Sequence, residues 1–149
     1  MRAVVQRVTF SEVEVNNESL SKIKNGLTVL LGIEKGDNQE DIEYIVRKTS
    51  NLRVFEDGEG KMNLSVKDVG GSILLISQFT LCGDVRKGNR PSFDKAEEPT
   101  LAKEYYEKVV STFSATDINI KSGKFQADML VKIYNDGPVT ILLDSKKRF

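Results

Sequence analysis

Three hydrogen-bonding side chains, Ser77, Gln78 and Thr80, fall within four residues at the end of the apolar run "LLISQFTL", with Phe79 among them. Read as a strand, the run places Gln78 and Thr80 at i and i+2, on one face. Burying such groups unpaired costs roughly 1–3 kcal/mol each, so they require partners. The plain reading is a strand running into its loop, with hydroxyls bonded to backbone. The sharper reading is a pocket wall that lends these groups to a ligand.

A second segment raises a related question. "YNDGPVTILL" sets Gly137-Pro138 between two strand-like runs. Asn, Asp and Gly supply turn conformations, so a hairpin is the ordinary reading. The alternative is a cis peptide, because proline lowers the cis penalty to ~0.5–1 kcal/mol. A fixed cis bond would orient the neighbouring carbonyls, an arrangement suited to an ammonium group. Periodicity does not choose between the two.

Other candidates are weaker. Arg86, Lys87 and Arg90 cluster among glycines in "CGDVRKGNRPSF". Such a cluster is ordinarily a solvated loop; its functional reading is a phosphate contact, since Arg binds phosphate through two donors. Cys82 has no histidine to activate it and reads as a small packing residue. Glu56, Asp57 and Glu59 lack the ligand series of a calcium loop and read as a surface turn.

Composition narrows the chemistry further. The 149 residues include no histidine and one cysteine. A Ser-His-Asp triad, a Cys-His dyad and a zinc site of histidines or several thiolates are therefore beyond this chain alone. An enzyme built from it would use carboxylates, lysines, hydroxyls, backbone dipoles or groups of its substrate. Lys plus Arg and Asp plus Glu balance at 22 each, so a nucleic-acid partner would need a local basic patch. "MRAVVQRVTF" does not resemble a signal peptide, and no apolar run is long enough to span a bilayer. A cytoplasmic protein is the expectation. Neither a metal-ligand cluster nor a nucleotide-binding glycine signature is present, so no cofactor is expected.

These residues must be positioned by a strand-rich framework. Residues 2–8 and 10–15 read as strands, followed by "LSKI" and the continuously apolar "LTVLLGI". Asp37 with Glu40 suggests a capping box, and Ile42, Ile45, Val46 and Thr49 recur at helical spacing. "SILLISQFTL" reads as a central strand. "EEPTLAKEYYEKVVSTF" reads as a second helix, with Leu101, Tyr105, Val109 and Phe113 on one stripe. "TDINIKSG", "ADMLVKIYN" and "VTILLD" read as three further strands. The expected fold is one α/β (α+β-like) domain over residues 1–149, a mostly antiparallel sheet or barrel with two main helices.

Taken together, "MRAVVQRV", "FEDGEGKMNLS", "SQFTLCGDVRKGNRPSF" and "FQADMLVKIYNDGPVT" resemble the D-aminoacyl-tRNA deacylases over nearly the whole chain. The resemblance implies a homodimer with each active site at the subunit interface. It implies that Ser77, Gln78, Phe79 and Thr80 form part of the pocket. Gly137 and Pro138 would form a cis bond that reaches into the partner subunit's pocket. Arg7 would help to hold that segment, and Ala127 and Met129 would lie near the pocket. Gln126 departs from the pattern, standing where the family usually has glycine.

The implied substrate is the acceptor end of an aminoacyl-tRNA, whose ester would be cleaved as a chiral proofreading step. Backbone N–H groups near Phe79 and Thr80 would stabilise the oxyanion, and the tRNA's own 2′-hydroxyl would assist water in place of a histidine. Carbonyls of Gly137-Pro138 would hold the α-amino group and exclude an L side chain, leaving glycyl-tRNA as a further substrate. Arg86, Lys87 and Arg90 would touch the tRNA. Two other classes stand beside this one. A binding module for the acceptor end would protect the ester, whereas a purely structural dimer would need neither polar segment.

Overall fold

Alternating β-branched residues carry the first strand much further than two short runs. In the computed structural model, which describes all of Met1–Phe149, β1 spans Arg2–Val15 without a break. Its first half pairs antiparallel with β3 (Gly26–Gly32) and its second half with β2 (Glu18–Ile23). β8 (Leu130–Asp144) runs antiparallel along nearly the whole of β1. The two expected C-terminal strands are thus one, interrupted by register shifts opposite Gln6–Phe10.

The apolar run of β3 forecasts a strand covered on both faces, and it is flanked accordingly. Its other neighbour is β6 (Ser72–Ser77), in parallel register from Gly26↔Ser72 to Leu31↔Ser77. β7 (Asn119–Ser122) extends the parallel part. The sheet is mixed, more so than expected, because helical crossovers connect β3 to β6 and β6 to β7. Gly26 has no substitute at its position, since a Cβ there would lie 1.9 Å from the Ser72 carbonyl oxygen. The path ends, β2 and β7, are joined by Ser21 Oγ donating to the Ser122 carbonyl at 2.8 Å, so the sheet nearly closes into a barrel. A separate pair, β4 (Phe55–Glu56) and β5 (Met62–Leu64), flanks the acidic turn.

α1 (Gln39–Asn51) buries Ile42, Ile45, Val46 and Thr49, the forecast stripe. Its capping box sits one residue beyond the expected place, on Asn38 and Asp41. Asp37 is instead buried against the α-amino group of Met1, 2.6 Å from Oδ1. That ion pair takes Asp37 out of the cap. α2 (Pro99–Ser114) buries Ala102, Tyr106, Val109 and Phe113. The expected Leu101 and Tyr105 are displaced from the stripe by one residue, which restores spacings of three and four. Both helices close over the cluster containing Leu27, Val29, Leu31, Ile73 and Leu75. No helix is long and apolar enough to cross a membrane.

Candidate active site

β6 ends at Ser77, and the polar residues after it leave the strand. Gln78 N–H donates to the Leu31 carbonyl at 2.8 Å, the last ladder bond to β3. Phe79–Cys82 then form a single 3-10 turn. The expectation that Gln78 and Thr80 share a strand face is therefore corrected. A side chain every other residue has no fixed face once the chain coils. Gln78 Nε2 instead donates to Thr80 Oγ1 at 2.5 Å across the turn. The first N–H groups of the turn, on Phe79 and Thr80, have no acceptor within it.

The turn stands at the mouth of a cavity of about 580 Å³. Ser77, Gln78 and Phe79 line one side of that cavity, and Ala127 and Met129 line another. Leu31, Ile76 and Phe125 supply apolar floor, with Glu97 and Asp128 as acids that sequence reasoning did not single out. Phe79 is 57% exposed and packs edge-to-face on Phe93, ring centroids 5.0 Å apart. Thr80 is not among the lining residues. Cys82 is buried and its S–H points at the Ile33 carbonyl, 3.5 Å away. Burial pushes its thiol up to about 11, so it is no nucleophile at neutral pH.

Gly137 and Pro138 lie elsewhere on the chain's surface, away from this cavity. Their peptide bond is cis. Between Gln6↔Thr140 and Val8↔Asn135 the β8 strand carries extra residues, which bulge from the ladder instead of turning back as a hairpin. Asn135 shapes the bulge: its Oδ1 accepts from Val139 N–H and its Nδ2 donates to Thr140 Oγ1, both at 2.9 Å. Arg7 fastens the bulge from beneath. Its Nε donates to the Asp136 carbonyl at 3.2 Å, and its Nη1 to the Val54 carbonyl at 2.7 Å.

The model of the D-Tyr-tRNA(Tyr) deacylase family matches residues 4–144. The chain belongs to that family. Relatives match end to end. A D-aminoacyl-tRNA deacylase of Natranaerobius thermophilus is 57% identical over 150 residues, and one of Thermosipho africanus is 52% identical over 149, each covering all of both chains. Among solved structures, the c-Myc DNA Unwinding Element Binding Protein superposes with a TM-score of 0.92. It is 48% identical, over 97% of this chain and 98% of that one.

Two further features concern residues that the sequence singled out. Gln126 lines the cavity with φ of 58°, the left-handed region in which glycine is most at ease. The basic loop is also less uniform than its composition. Arg86 is held by Asp84 through Nε at 2.9 Å and Nη2 at 2.5 Å, and this guanidinium keeps the Asp84 carboxyl well below the usual range. Lys87 and Arg90 are exposed and form no intramolecular ion pair. No group of three or more His, Cys, Asp or Glu side chains is arranged to hold a metal ion.

Proposed function

We propose that this chain hydrolyses the ester linking a D-amino acid to the 3′ end of its tRNA. The observation that carries the reading is the Ser77–Thr80 segment. It leaves the sheet as a tight turn at the mouth of a cavity, with the N–H groups of Phe79 and Thr80 free to donate. Donors of that kind stabilise a tetrahedral oxyanion, and losing one typically costs a hydrolase about 10²–10³ in rate. An activated ester needs little more. With no histidine in the chain, the tRNA's 2′-hydroxyl assists the attacking water, and Thr80 acts through its backbone and not as a nucleophile.

The site is completed by a second copy of the chain. β8 is an edge strand carrying exposed Leu130, Tyr134 and Leu142, at 60%, 59% and 58%. Such a row calls for a partner. The Gly137-Pro138 bulge is exposed on the same strand, apart from its own chain's cavity, which suits insertion into the partner's. There its carbonyls receive the α-amino group, and an L side chain would meet backbone. This selects by exclusion. Glycine has nothing to exclude, so glycyl-tRNA is a second substrate. Lys87 and Arg90 contact the tRNA; Arg86 is already committed to Asp84. The work belongs in the cytoplasm, where charged tRNA is used.

The test is hydrolysis of D-tyrosyl-tRNA and L-tyrosyl-tRNA side by side, with purified protein and EDTA. Rapid loss of the D ester alone is expected. Survival of both esters would remove the deacylase reading and leave protective binding of the acceptor end in its place.

A further inference from the structure

We infer that Arg2 is a positioning residue for the Phe79–Cys82 turn, an inference that rests on the deacylase reading of that turn. Arg2 opens β1, 79 residues away in sequence, and its Nη1 donates to the Leu81 carbonyl at 3.1 Å. Carbonyls in the last residues of a helical turn have no donor within it. The guanidinium supplies one. Gln78 N–H fixes the entry of the turn to β3, and Arg2 fixes its exit.

The guanidinium is itself held in place. Nη2 lies 3.4 Å from Glu34 Oε1 and Nε lies 3.6 Å from Asp144 Oδ2. Both carboxylates are buried, at 4% and 3% exposure, and both are also bound by Arg148. Nε is buried without a hydrogen-bond partner of its own, so the bond to Leu81 is what satisfies this side chain beyond its charge. Apart from the Gln78–Thr80 side-chain bond and the Phe79–Phe93 packing at its start, the turn has few other restraints. Leu81 N–H to Gln78 O at 3.3 Å and Gly83 N–H to Thr80 O at 3.0 Å are long or terminal, and the Cys82 thiol bond is weak. Without Arg2 the exit would shift toward water and carry the Phe79 and Thr80 N–H groups with it.

The experiment compares wild type, Arg2→Met and Arg2→Lys on D-tyrosyl-tRNA. Arg2→Met keeps the apolar stem and loses the donor. Its kcat is expected to fall by about 10- to 100-fold, the range that small misplacement of catalytic groups costs, with KM unchanged. Arg2→Lys, whose ammonium still reaches one acceptor and keeps the charge beside Glu34 and Asp144, should recover part of kcat. The backbone amides of Leu81 and Gly83, which are bonded within the turn, should exchange faster with solvent in Arg2→Met, and more slowly again in Arg2→Lys. A folded Arg2→Met with wild-type kcat and wild-type exchange would overturn the inference, as would a rise in KM alone. Should Arg2→Met not fold, an Arg2→Lys with unaltered kcat and exchange overturns it equally. A wild-type protein that leaves the D ester intact defeats the deacylase reading, while amide exchange still decides whether Arg2 fastens the turn.

Discussion

Arg7 and Asp136 are joined through both backbone and side chain: Arg7 Nε lies 3.2 Å from the Asp136 carbonyl oxygen and 3.3 Å from its Oδ2. Arg7 is buried in the sheet, while Asp136 begins the exposed Gly137-Pro138 bulge. One fixed side chain thereby ties a surface feature to the core, through a third bond to Val54.

Replacing Arg7 by methionine removes these donors and leaves the buried Val54 carbonyl unpaired. A loss of about 2–4 kcal/mol in stability is expected, the combined scale of bonds to a charged donor and of unsatisfied acceptors. Urea denaturation measures it. Deacylation should fall further than stability alone explains, because the bulge loses its anchor.

Gly137 adopts φ of 123°, a region closed to ordinary L residues. A Cβ there would lie 2.8 Å from Val139 Cγ2 and 3.0 Å from Arg7 Nη2. Gly137→Ala should therefore cost about 1–3 kcal/mol and lower kcat/KM for D-tyrosyl-tRNA. A variant equal to wild type in both would show that the bulge tolerates a side chain.

Thr80 offers its hydroxyl oxygen to Gln78 Nε2 and has no carboxylate or amine bonded to it. Nothing there acts as a base. Thr80→Ala is expected to keep most of its deacylase activity, whereas detection of an acyl-threonine adduct by mass spectrometry would make Thr80 a nucleophile.

Burial works to raise the Asp144 carboxyl, but Arg148 and the Lys146 N–H outweigh it and hold the group below its ordinary value. Asp41 is similar: burial opposes, and the Lys146 ammonium prevails. A carboxyl lowered on folding contributes stability that is complete above its unfolded pKa, about 4, and is lost as pH falls through the folded one. Asp37, raised by burial, runs the other way but does so in any variant that leaves it alone. Arg148→Gln should thus be less stable than wild type at neutral pH by about 1 kcal/mol, since its partly exposed side chain is screened. The difference should shrink on acidification below about pH 4. Thermal melts of both proteins across that range check it.

Composition and local motifs were enough to set the kind of chemistry available and the family. No histidine meant no triad, and the paired "SQFT" and "NDGPVT" segments carried the resemblance. Local pattern also determined α1's buried stripe and the doubly covered β3, because hydrophobic period depends on local spacing. The remainder follows from long-range pairing. Gln78 and Thr80 alternate as strand residues do, yet the ladder to β3 ends and the chain coils. Asn, Asp, Gly and Pro at 135–138 spell a turn, yet fifteen residues stay on one strand because β1 pairs with both sides of the bulge. Asp37 and Arg2 carry ordinary surface charges in the sequence. Folding places Asp37 in a buried ion pair with Met1, and Arg2 beside the buried carboxylates of Glu34 and Asp144. Such contacts join residues far apart in the chain, and local pattern holds no record of a partner that arrives only when the sheet closes.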